Sequence, residues 1–108
     1  MFEGLTVAMV TPFRVDPARP GGGALDLDAA ARLADFLVEG GVQCLVLSGS
    51  TGEAATCTSE ERLALWRRVK EQVRGRIPLV AGTGTNCTAD SVALTRMAEE
   101  AGLDGALV

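Results

Sequence analysis

The sequence predicts an α/β fold built on a parallel β-sheet. Short continuous apolar runs read as strands. Each is followed by a polar loop and then by a stretch with helical apolar spacing. The pair repeats three times before a fourth apolar run begins at Gly105. Strands that are apolar at consecutive positions are covered on both faces, and parallel neighbours need right-handed helical crossovers. An open doubly wound sheet and a closed (β/α)8 barrel share this local pattern, and periodicity leaves both open. A barrel takes roughly 250 residues, so a chain of 108 residues would hold only its opening units.

The first run is Val7-Ala8-Met9-Val10, closed by Thr11-Pro12. A loop rich in proline and glycine is expected next, through Pro17, Pro20, Gly21, Gly22 and Gly23. Asp28 opens a helical stripe of Leu33, Phe36, Leu37 and Gly40, with Gly40-Gly41 as its stop. The second unit has the strand Cys44-Leu45-Val46-Leu47 and a polar loop from Ser48 to Thr58. Thr58-Ser59-Glu60-Glu61 fits a capping box ahead of the stripe Leu63, Trp66, Val69 and Val73. In the third unit Ile77–Ala81 is the strand, Gly82–Cys87 the loop and Thr88 the expected N-cap. Leu94, Met97, Ala98 and Ala101 form its stripe, ended by Gly102. Trp66 and Phe36 are expected in the core, and the Glu60, Glu61, Glu99 and Glu100 pairs at the surface.

Composition narrows the function. The chain is 47% hydrophobic and 22% charged, with a formal net charge of −4, which fits a globular core and argues against nucleic acid as a partner. No stretch reaches the ~20 apolar residues of a membrane helix. Met1-Phe2-Glu3-Gly4 lacks a signal-peptide pattern, so a cytoplasmic location is expected. Cys44, Cys57 and Cys87 form no C-x-x-C pair and there is no histidine, so no metal site is expected. The thiols are expected to be free and mostly buried. Asn86-Cys87-Thr88 matches a glycosylation sequon by chance.

In either architecture function sits at the carboxyl ends of the strands. Three loops lie there: Thr11-Pro12-Phe13, Gly49-Ser50-Thr51-Gly52-Glu53 and Gly82-Thr83-Gly84-Thr85-Asn86. In the second, two glycines flank two hydroxyls, and such a turn can present adjacent N–H groups and hydroxyl donors to a carboxylate or phosphate. A plain polar connection whose Ser and Thr cap backbone groups is an equal reading. For the third loop the plain reading, turn glycines feeding a helix cap, is favoured. A dinucleotide fingerprint fails because Cys87 stands where a third glycine is needed, and no glycine loop precedes Lys70 as a Walker motif requires. Glu53 reads as a support at a helix start rather than a base.

Together these residues resemble a known family. Phe2-x-Gly4 with Val7-Ala8-x-Val10-Thr11-Pro12-Phe13 resembles the opening strand of the dihydrodipicolinate synthase and N-acetylneuraminate lyase superfamily. Gly49–Glu53 followed by Ala54-x-Thr56-x-Thr58-x-Glu60-Glu61-Arg62 resembles its pyruvate-carboxylate motif and next helix, and Gly82-Thr83-Gly84-x-Asn86 its third-strand loop. The resemblance implies a (β/α)8 TIM barrel of which residues 1–108 are the N-terminal part of a single domain: the first three βα units and the start of strand 4. It also implies a class I aldolase mechanism, in which a strand lysine forms a Schiff base with pyruvate or another 2-oxo acid and no cofactor is used. By the same resemblance Thr51 binds the substrate carboxylate, helped by the backbone of Gly49 and Gly52, and Ser50 joins a proton relay with two tyrosines. The pattern from Thr56 to Arg62 looks more like a synthase, condensing pyruvate with aspartate semialdehyde toward lysine, than a sialic acid lyase or 2-keto-3-deoxygluconate aldolase. Lysine feedback in the family uses this helix start and the region of Asn86. Asn86 and Asp90 fit, whereas Ser59 and Arg62 occupy places where lysine-inhibited relatives often carry histidine.

The resemblance places the Schiff-base lysine, both tyrosines and a substrate-binding arginine beyond Val108. This chain has no tyrosine, and Lys70 falls on a helix rather than in the desolvated pocket a lysine nucleophile needs. The 108 residues alone are therefore expected to be inactive, and the full-length protein to be a homo-oligomer. The rival of another class is a short non-catalytic protein that binds an anion or a full-length homologue. Its open fourth strand and limited core would leave the isolated chain poorly soluble or oligomeric.

Overall fold

A computed structural model describes residues 2–18 and 23–108; Met1 and the loop positions Pro20, Gly21 and Gly22 lie outside the described residues. Strand β1 (Thr6–Ala8) is followed by a hairpin of β2 (Phe13–Val15) and β3 (Gly23–Leu25), then helix α1 (Leu27–Glu39). Strand β4 (Cys44–Leu47) leads through a short 3₁₀ turn (Ala54–Thr56) into α2 (Ser59–Val73). Strand β5 (Leu79–Gly82), α3 (Thr88–Glu100) and β6 (Gly105–Leu107) complete the order.

The main sheet runs β1-β4-β5-β6, every pair parallel, with Val7 opposite Leu45, Val46 opposite Val80 and Ala81 opposite Ala106. Each new strand is added on the same side of the last. A doubly wound sheet reverses its order at a switch point; this sheet does not, which selects the barrel over the open sheet. Helix α1 packs on α2, and α2 on α3, so the helices advance in step with the strands.

Strand β4 is buried at all four positions, as its unbroken apolar run requires. Leu45 and Leu47 pack with Leu65, Trp66, Val69 and Val73 of α2, Leu79 and Ala81 of β5, and Leu94 and Ala98 of α3. Full burial of each leucine or valine contributes roughly 1.5–3 kcal/mol. The capping box at α2 is complete: Glu61 N–H donates to the Thr58 hydroxyl at 3.1 Å, and Thr58 N–H to the Glu61 carboxylate at 3.0 Å. Asp26 caps α1 through the Ala29 N–H at 2.9 Å. Gly41, at φ +97°, ends that helix in a conformation closed to most side chains. Arg76 and Gln72 both bond the Asp35 carboxylate, clasping α2 to α1; the Arg76 guanidinium, then the Gln72 amide, hold Asp35 below the usual carboxylate range.

Four expectations are corrected. Phe13–Val15 and Gly23–Leu25, expected as loop, form an antiparallel hairpin with Phe13 opposite Leu25 and Val15 opposite Gly23, three-residue strands being too short to show alternation. Phe36 is 71% exposed: α1 turns Ala30, Ala31 and Ala34 inward, and small side chains let the helix approach closely, leaving the aromatic outside. The N-cap of α3 is Cys87 rather than Thr88, because Thr85 reaches forward and its hydroxyl accepts from the Cys87 N–H at 3.1 Å. Of the cysteines only Cys44 is buried; Cys57 is half-buried and Cys87 exposed, since the latter two lie in loops.

Candidate active site

The carboxyl ends of β1, β4 and β5 lie at the same end of the parallel sheet, where Thr11, the Gly49–Gly52 turn and Gly82 come together. Ser48 leaves β4 buried and with φ +51°, a left-handed conformation that turns the chain sharply away from the sheet. Glu53 N–H then returns to the Ser50 carbonyl at 3.0 Å, and Ala54 N–H to the Gly49 carbonyl at 3.2 Å. The turn so closed leaves the N–H groups of Ser50, Thr51 and Gly52 without a partner among the described residues. Ser50 and Thr51 are exposed at its crest, Gly49 is half-buried and Gly52 buried. The two readings of this loop therefore part: among the described residues its hydroxyls cap nothing within it, and those N–H groups are left without a backbone partner, as an anion-binding turn would need.

Three buried groups hold the turn. The Thr11 hydroxyl donates to the Gly52 carbonyl at 2.6 Å. The Trp66 indole N–H donates to the Ser48 hydroxyl at 2.9 Å. Gly82 lies so close that a Cβ there would sit 2.4 Å from the Ser48 carbonyl oxygen. None of these roles was visible in the spacing of the loops. The one available signal was Trp66: an indole buried in a core must find an acceptor.

Beside the turn lies a cavity of about 670 Å³, within the range of small-molecule sites. Ser50, Gly49, Asn86, Asp90 and Arg62 are among its walls, whereas Thr51 and Gly52 are not. Asn86 and Asp90 are exposed at the start of α3. Arg62 is buried; its Nη2 donates to the Ala54 carbonyl at 2.6 Å, while Nε and Nη1 have no partner among the described residues. Glu53 sits at φ +56° and heads the 3₁₀ turn, making no side-chain cap, so the expected supporting bond is not formed there. Burial, followed by the Glu61 carboxylate, pushes the Cys57 thiol up, the opposite of an activated nucleophile. Lys70 donates to the Gly102 carbonyl at 2.6 Å on the outer surface. No cluster of three metal-ligating side chains occurs among the described residues, and none of their helices is long and apolar enough to cross a membrane.

The sequence model of the dihydrodipicolinate synthetase family matches residues 1–108. The chain belongs to that family. It is 50% identical over 104 residues to the 4-hydroxy-tetrahydrodipicolinate synthase of Moorella thermoacetica, covering 96% of this chain and 34% of that one. To the Bacillus subtilis enzyme of the same name it is 40% identical over 107 residues, covering 99% and 35%. The crystal structure of dihydrodipicolinate synthase from Thermotoga maritima superposes with a TM-score of 0.90 at 41% identity, over all of this chain and 34% of that one. The synthase of Cyanidioschyzon merolae with lysine bound gives 0.87 at 36% identity, over 97% and 34%. The chain thus spans about a third of the length of these dihydrodipicolinate synthetase relatives. Its parallel units are part of a (β/α)8 barrel, and the loops after β1, β4 and β5 lie at the carboxyl end of its strands, the end at which barrels of this kind build their sites.

Proposed function

We infer that residues 1–108 are the N-terminal part of a single barrel domain in a pyruvate-dependent lyase, a 4-hydroxy-tetrahydrodipicolinate synthase acting in lysine and diaminopimelate biosynthesis in the cytoplasm. The observation that carries this reading is the turn at Gly49–Gly52, with three N–H groups that have no partner among the described residues and two exposed hydroxyls at the carboxyl end of a parallel strand. Pyruvate offers a carboxylate to such a nest. Thr51 donates to that carboxylate, with the backbone of Gly49 and Gly52 shaping the cradle, and Ser50 passes a proton along a relay completed by tyrosines from the rest of the protein. The covalent step belongs to a lysine outside this chain: its amine adds to the ketone of pyruvate and water leaves, giving an imine. No cofactor is required, and the working protein is a homo-oligomer.

The test is the intact mass of the full-length gene product before and after pyruvate with borohydride. A product well above 11.2 kDa that gains one reduced pyruvyl group is expected, because borohydride reduces only an imine that has formed. No adduct would remove the Schiff-base reading and leave a non-catalytic anion-binding protein. An adduct that turns over with a different aldehyde would keep the mechanism and move the chain to another branch, such as the N-acetylneuraminate lyases.

The cavity beside the turn supports an effector subsite. Asn86 and Asp90 supply an amide and a carboxylate for an amino acid, and a relative binds lysine. Arg62 brings a cation, with two nitrogens that have no partner among the described residues, to the same wall. Two like charges about 4 Å apart repel by roughly 1–4 kcal/mol between bulk water and a protein surface, so the lysine ammonium is disfavoured here. Lysine is therefore expected to inhibit the full-length protein weakly, and Arg62→His to sharpen inhibition about tenfold at pH 8, where histidine is neutral. Equal lysine sensitivity in both proteins would sink this assignment of Asn86 and Asp90.

A further inference from the structure

We propose that Trp66 and Ser48 form a positioning pair that presets the Gly49–Gly52 turn for its carboxylate ligand. The inference rests on the pyruvate reading above and extends it to two residues outside the turn. Trp66 is fully buried, and its indole N–H has one acceptor among the described residues, the Ser48 hydroxyl at 2.9 Å. Ser48 is fully buried too, and is held at φ +51°. An L residue is uphill in that region and stays there only when its surroundings insist.

Those surroundings are explicit. The indole fixes the Ser48 side chain from the α2 side. The Ser48 hydroxyl leans on the Gly82 carbonyl at 3.4 Å, and Gly82 abuts the Ser48 backbone from the β5 side. Ser48 is the residue immediately before the turn, so its backbone angles set the direction in which the N–H groups of Ser50 and Thr51 point. At the other end Thr11 secures Gly52. The turn is tied at both ends and free at its crest, an arrangement that lowers the ordering cost of binding. A tryptophan whose work was packing alone would need an acceptor, but not one on the residue that launches the ligand turn.

The experiment uses the full-length protein and three variants: Trp66→Phe, which keeps a buried ring and removes the donor, Ser48→Ala, and the double variant. Steady-state kinetics give KM for pyruvate and kcat. The pair predicts that each single variant raises the pyruvate KM about tenfold with kcat within twofold, and that the double variant is no worse than Ser48→Ala alone, since Trp66→Phe removes only a bond that Ser48→Ala already removes along with the hydroxyl's contact to Gly82. An unchanged KM, whether or not the melting temperature falls, would overturn the proposal and reduce Trp66 to a core residue. Additive KM effects in the double variant would overturn it as well. Wild-type protein that forms no pyruvate adduct would instead overturn the functional reading and the pair's role with it. An adduct with an unaltered KM in the variants would leave that reading standing and remove only the pair.

Discussion

Replacing Ser50 by alanine in the full-length protein is expected to lower kcat by about 100-fold or more while the pyruvate adduct still forms with borohydride. Proton transfer by a positioned side chain contributes typically 10²–10⁴-fold, and on the reading proposed above alanine removes the relay's own hydroxyl while leaving that of Thr51 at the crest. Thr51→Val should do the reverse. It keeps the shape, removes one donor to a charged carboxylate, and is expected to raise the pyruvate KM by roughly 10- to 100-fold, the equivalent of about 1.5–3 kcal/mol. Both side chains are exposed, so the melting temperature should hold in each variant, and a lost activity cannot then be laid to unfolding. If Ser50→Ala raised KM and Thr51→Val lowered kcat, the two roles would have to be exchanged. If neither moved either constant, the turn would not be the substrate site.

The second large effect belongs to a residue with no side chain. Gly82→Ala is expected to destabilise the full-length protein by about 3 kcal/mol, the upper end of what overpacking a tight site costs. The new Cβ would lie 2.4 Å from the Ser48 carbonyl oxygen, 2.8 Å from its carbon and 2.9 Å from the Gly49 Cα. All three are backbone atoms, so no rotamer change relieves the clash and the ends of β4 and β5 must separate. Gly49→Ala is the control: its Cβ would meet only Val46 Cγ1 at 3.6 Å, an ordinary contact, and should cost under about 1 kcal/mol. Denaturant melts of both variants decide the matter. A Gly82→Ala protein as stable as wild type would mean that the two strand ends separate at no cost.

Much of the architecture was legible because the signals were periodic. The run Cys44–Leu47 could only be a strand covered on both faces, and Thr58 with Glu61 marked the start of α2 to the residue. The choice of barrel over open sheet was not in the periodicity; strand order decides it, and strand order is a long-range property that local spacing does not encode. The hairpin of β2 and β3 was hidden for a related reason. Each strand has three residues, too few to show alternation. Phe36 lies outside because side-chain volume as well as hydrophobicity decides which face packs: the alanines at 30, 31 and 34 make the closer-fitting face. At the site, the turn at Gly49–Gly52 stood out by composition, but its supports did not. A serine with positive φ, a threonine one strand away and a glycine needed for close approach look, in sequence, like ordinary loop residues.

The unreversed strand order also bears on how the chain is made. Synthesis delivers residues from the N-terminus, and domains begin to fold as they emerge. In the order β1-β4-β5-β6 every strand after the first finds its partner already synthesised, separated from it by a single helix or, between β1 and β4, by the hairpin and α1, and no later segment has to be threaded between two earlier ones. Among the described residues β1 and β6 each have a neighbour on one side only, but the next strand of a barrel is added beside β6, whereas the outer edge of β1 is covered only when the ring closes. On the ribosome that edge must wait longest for cover, and the hairpin of β2 and β3 follows directly after it. Vectorial growth thus makes β1 the strand whose open edge lasts longest before the ring closes.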